Sequence, residues 1–129
     1  MNKLKNFFKI GFYLANIILI TLYLFPGSIF GCFLYDDCYI QPQITKDLFV
    51  GDFIISANHV YAFILLASLG VLSFHNTKKI NFLIFYLFLL SIILELFHLI
   101  IPNRGFEWSD LFGNILGLLF ALVIYKVKK

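Results

Sequence analysis

Glu95 and His98 stand three residues apart inside an apolar run, a spacing that puts a carboxylate and an imidazole on one face of a helix. Such a pair can pass protons or act together as acid and base. Arg104 follows within the short Pro102-Asn103-Arg104-Gly105 turn. Asp110 and Asn114 are four apart near the start of the next apolar run, and His59 lies beside Asn58 near the start of an earlier one. An ionisable group inside a membrane span costs about 2.5–3.5 kcal/mol on insertion scales, so each needs a partner or a purpose. The readings taken from these residues are Glu95 and His98 as candidate catalytic groups, with His59, Arg104, Asp110 and Asn114 as binding groups. The competing reading makes them a buried ion-pair and hydrogen-bond network that only sets helix register. Glu-x-x-His also occurs in di-iron helix bundles, but those need matching motifs on other helices. With only His59 and Asp110 to add, a mononuclear metal site is conceivable; none is assigned, and no cofactor is expected.

The elements that must position these groups are four apolar segments, about 7–30, 53–74, 80–101 and 108–125, each near the ~20 residues a bilayer requires. The chain is 61% hydrophobic with a mean hydropathy of +0.92, which excludes a soluble globular domain and leaves no mass for a separate catalytic domain. The reading is an all-α, single-domain bundle of four transmembrane helices spanning residues 1–129. Lys3, Lys5, Lys9, Lys78, Lys79, Lys126, Lys128 and Lys129 flank the spans on one side. Asp36, Asp37, Asp47, Asp52, Glu107 and Asp110 fall on the other, with only Lys46 and Arg104 as cations. The positive-inside rule then places both termini and the 75–79 turn in the cytoplasm, and the polar cluster outside. Topology already accounts for the lysines, so the net charge of +3 implies no nucleic acid.

Pro26-Gly27 interrupts the first segment, predicting a kink or a stop; a stop would make 28–35 interfacial or re-entrant. The basic start and long apolar stretch read as a retained helix rather than a cleaved signal. Residues 36–52 form the longest polar connection and are expected to fold over the outer mouth. Cys32 and Cys38 would face an oxidising compartment there and could close a small disulfide loop or remain thiols. Gly113, Gly117 and Ala121 recur at four-residue spacing, as expected where helices approach closely.

The stretch Ile93–Gly117 resembles the signature of the VanZ-like membrane protein family: a helical glutamate, a Pro-x-Arg turn, then an aspartate and Asn-x-x-Gly opening the last span. Glu95, Pro102, Arg104, Asp110, Asn114 and Gly117 match it position by position. His59, Val60, Ala62 and Phe63 are similar to the family's His-Phe-x-Ala-Tyr stretch, and Pro26-Gly27 is similar too. Two positions depart: Ile55 and Ser56 stand where an Asp-Lys pair is frequent, and His98 where glutamine is. The family is named for an accessory protein of glycopeptide-antibiotic resistance. The resemblance implies a bacterial inner membrane and a link to the cell envelope, and no particular reaction.

The leading expectation is therefore a small inner-membrane protein whose outward polar pocket binds an envelope lipid or glycan-precursor headgroup, Arg104 taking the anionic group. Whether it also catalyses is left open. The alternatives are a non-catalytic structural or accessory subunit of an envelope complex, and a small transporter or flippase component. Expected partners are membrane lipids, an anionic headgroup ligand, and a second copy or an envelope protein.

Overall fold

The computed structural model describes residues 2–128; Met1 and Lys129 lie outside the described residues. The fold is all-α. It runs α1 (Asn2–Leu24), α2 (Ile29–Tyr35), a hairpin of β1 (Leu48–Val50) and β2 (Phe53–Ile55), α3 (Ala57–Phe74), α4 (Ile80–Phe97) and α5 (Trp108–Val127). Four of these helices, α1, α3, α4 and α5, are long and apolar enough to cross a membrane. At about 1.5 Å per residue they match a ~30 Å hydrocarbon core.

The helix ends differ from the apolar segments, each for a local reason. α1 stops at Leu24 because Pro26 cannot continue it and Gly27 turns to φ 100°. Ser28 then starts α2 as its N-cap, its hydroxyl oxygen accepting from the Gly31 N–H at 3.0 Å. The first apolar segment is thus one span plus a short helix, closed onto the next loop by a Cys32–Cys38 disulfide. Residues 53–55, expected within the second span, pair instead with 48–50 around a Gly51-Asp52 turn in which Gly51 has φ 61°. Two-residue turns of this kind suit a hairpin, and β-branched and aromatic neighbours suit its strands. α4 ends at Phe97, and three-residue turns carry the chain on through Ile100, where His98, Leu99 and Ile100 each donate to the carbonyl three residues back.

α3 is the central helix, packed on α5, α1 and α4. Phe63, Leu66, Leu87 and Leu118 form the fully buried centre. α5 lies closest to α3. A Cβ on Gly113 would come 2.6 Å from the Ser56 carbonyl oxygen, and one on Gly117 would run into the Val60 carbonyl. The small-residue stripe therefore meets a backbone, which is how helices gain contact where no hydrophobic drive separates them from lipid. α1 buries only Phe12, Leu19 and Tyr23; Leu4, Phe7, Ile10, Leu14 and Ile17 point away from the bundle. The 36–52 connection is pinned to the start of α3: the Asn58 side chain donates to the Pro42 carbonyl (2.8 Å) and accepts from the Ile44 N–H (3.0 Å). Asp47 accepts from the Ala57 N–H at 3.1 Å.

Candidate functional site

α3 and α5 begin, and α4 ends, at one end of the bundle, so the first turns of two helices and the last turn of a third meet there. Glu95, on that last turn of α4, is fully buried. Its Oε1 accepts from the Glu107 N–H at 3.0 Å and lies 3.2 Å from His98 Nδ1, whereas Oε2 has no partner among the described residues. His98 is buried too, its Nε2 lying 2.9 Å from the Tyr23 carbonyl oxygen. A carbonyl oxygen only accepts, so Nε2 carries a hydrogen, and the Nδ1–Oε1 contact then holds one proton on either side. That is the arrangement an acid–base pair requires.

Tyr23 organises the rest. Its hydroxyl donates to Asn114 Oδ1 at 2.5 Å and lies 2.9 Å from His59 Nδ1. Its ring stacks on His98, with centroids 5.7 Å apart and planes at 20°. Asn114, fully buried, donates from Nδ2 to the Ser91 carbonyl at 3.1 Å, which orients its amide so that Oδ1 faces both Tyr23 and His59. The opposite nitrogen of His59, Nε2, lies 3.5 Å from Asp110 Oδ2. His59, Glu95 and Asp110 each present a ligand-type atom, all within 4.8 Å of one another.

Five of the six residues singled out in the sequence thus gather around one tyrosine. Arg104 stands differently. It has no acid within ion-pair distance among the described residues; its Nη2 and Nε donate to the Leu22 and Phe25 carbonyls at 2.8 and 3.2 Å. The Leu22 carbonyl lies in the last turn of α1, where Pro26 offers no N–H to bond it, and Phe25 is the residue just past that helix; cations are favoured there. Asn103, at φ 59°, supplies the left-handed turn that aims Arg104 back across the bundle. Partial burial lowers the guanidinium's proton affinity from its ordinary value, opposed by Asp110, Tyr23 and Glu95 nearby.

Tyr23 and Ser91 were not anticipated. The available signal for Tyr23 was a hydroxyl placed three residues before the Pro26 break; Ser91 acts through its backbone and leaves no signal in its side chain. Tyr23, His59 and Arg104 also line a cavity of about 530 Å³ between α1 and α3, roofed by Gln41–Ile44. Leu19, Leu22, Phe30 and Leu65 make its apolar wall.

A sequence model of the VanZ/LLP1 family matches residues 10–129, nearly the whole chain. No curated protein and no solved structure matches.

Proposed function

We propose that this chain, which belongs to the VanZ/LLP1 family and is a multi-pass membrane protein, binds the anionic headgroup of an envelope lipid or lipid-linked glycan precursor in the cavity between α1 and α3. The carrying observation is the shape and chemistry of that cavity: an apolar wall that ends at Arg104, His59, Gln41 and Gln43. Its volume falls in the range of small-ligand sites, and its division into an oily and a polar part suits an amphiphile. Arg104 uses one N–H from Nε and one from Nη2 on carbonyls, and its fork geometry leaves further donors for a phosphate or carboxylate. The location proposed is the bacterial cytoplasmic membrane with the cavity outward. The lysine asymmetry supports it, and so does the Cys32–Cys38 disulfide, which belongs on an oxidising side. Glu95 and His98 sit behind His59 as the pair through which any proton transfer at the site would run.

A second reading, a structural lock, is favoured by the closed hydrogen-bond chain Tyr23–Asn114–Ser91 and by Glu95 bonding within its own element and its neighbour turn. Lipid retention in native mass spectrometry separates the two. Wild-type protein in neutral detergent is offered an anionic phospholipid, a polyprenyl diphosphate and a zwitterionic phospholipid. The headgroup reading expects a preference for the anionic species of about tenfold or more, lost in Arg104→Gln and kept in Lys78→Gln at the opposite end. Equal retention of all three lipids by folded wild type would leave the lock.

A further inference from the structure

We propose that His59, Glu95 and Asp110 bind one divalent cation of the zinc or manganese type where α3, α4 and α5 meet. Three residues far apart in sequence, from three helices, bring one ligand-type atom each within 4.8 Å of the others. Metal–ligand bonds of about 2.0–2.2 Å put tetrahedral ligand atoms some 3–3.5 Å apart. His59 Nε2 and Asp110 Oδ2 are already at 3.5 Å, and the Glu95 atom lies within 4.8 Å of both partners.

Two independent observations point to a cation. The first is Glu95: Oε1 is engaged by His98 and the Glu107 N–H, while Oε2 is buried with no partner among the described residues. A buried carboxylate oxygen without a partner is costly, and a metal ion supplies one. The second is the tautomer of His59. The Nδ2 bond to the Ser91 carbonyl turns the Asn114 amide so that Oδ1, which only accepts, faces His59; with the Tyr23 hydroxyl donated to that oxygen, the 3.0 Å contact places the ring hydrogen on His59 Nδ1. In the neutral ring, Nε2 is then a bare lone pair facing a carboxylate oxygen. Two such atoms repel unless a positive charge, a metal ion or a shared proton, lies between them. Holding one imidazole nitrogen by a second-layer hydrogen bond while the other faces outward is how metal-binding histidines are oriented. Asn114 and Tyr23 do this for His59, and His98 and Glu107 do it for Glu95.

One imidazole and two carboxylates, with no sulfur, favour zinc or manganese over softer ions, and three protein ligands leave a further position on the metal. His59 also lines the α1–α3 cavity, so a phosphate or carboxylate oxygen of a ligand there could take that position; this step alone rests on the headgroup reading. The side chains of His59 and Asp110 are 14% and 18% exposed, enough for an ion to enter.

The test uses full-length protein carrying a purification tag without histidine, stripped by a chelator in detergent and dialysed against Zn²⁺, Mn²⁺ or Mg²⁺ in turn. Elemental analysis after desalting is expected to find about one Zn²⁺ or Mn²⁺ per chain and little Mg²⁺. Asp110→Asn and His59→Ala should each weaken retention by more than about tenfold, the scale on which even outer-layer residues act. His75→Ala, in the turn at the other end of the bundle, should not. Co²⁺ added to the stripped wild type should give visible d–d bands, which needs no variant to fold. Folded wild type that retains no stoichiometric metal and gives no Co²⁺ bands overturns the proposal, as does retention indifferent to Asp110→Asn. Metal binding without any anionic lipid preference would sink the headgroup reading alone, and the reverse result would sink only the metal.

Discussion

At the scale of single residues, Tyr23 matters more than its place in an apolar helix would suggest. It joins α1 to α3, α4 and α5 through one hydroxyl, one carbonyl and one ring face. Tyr23→Phe would leave Asn114 Oδ1 and His59 Nδ1 with one partner fewer in a largely buried site. It is expected to cost about 1–3 kcal/mol in thermal or denaturant unfolding in detergent. Tyr13→Phe, on the half-exposed face of the same helix, should change nothing measurable. The chemistry-bearing types were legible one by one, since Glu95, His98, His59, Asp110 and Asn114 are conspicuous among apolar neighbours. Their partners were not. Within the cluster Glu95 is held by His98 and the Glu107 N–H, and Arg104 by two carbonyls. The sequence marks where a charge lies, but not that the carbonyls beside the Pro26 break, rather than an acid, take Arg104.

Among the elements, the α3–α5 contact is the one a single methyl group can disturb. Gly113→Ala would set a Cβ 2.6 Å from the Ser56 carbonyl, a backbone atom that cannot swing aside. The helices must part, at a cost of about 1–3 kcal/mol, and His59 must shift with them. Gly11→Ala on α1 meets nothing nearer than 3.6 Å and should be neutral or stabilising by up to about 1 kcal/mol. Comparing the two melting temperatures checks this, and equal shifts would refute the close approach. The disulfide is a different kind of tie. It braces α2 to the loop after it and touches none of the polar cluster, so Cys32→Ser with Cys38→Ser is expected to lose roughly 2 kcal/mol of local stability. Metal and lipid retention should survive in that variant; their loss would mean that α2 shapes the cavity more directly than its wall position implies.

For the whole molecule the decisive expectation is topology. With eight of ten basic residues on one side, reporter fusions should report both termini and the 75–79 turn in the cytoplasm. A C-terminal reporter found outside would reverse the cavity and remove the reason for an envelope ligand. Composition and spacing alone determined an all-helical membrane bundle, the close-packing stripe on α5 and the break at Pro26-Gly27, because hydropathy, residue size and proline act locally. The hairpin at 48–55 was written locally too, in Gly51-Asp52 between aromatic and branched residues, but it was submerged in the hydropathy of the span that follows. What only the tertiary structure decided is which groups meet. Tyr23, His59, Glu95, Asp110 and Asn114 converge because α3 lies against α5 with no side chain between them at Gly113 and Gly117. Convergence depends on helix rotation and separation, which are properties of packed pairs and are carried by no one segment of sequence.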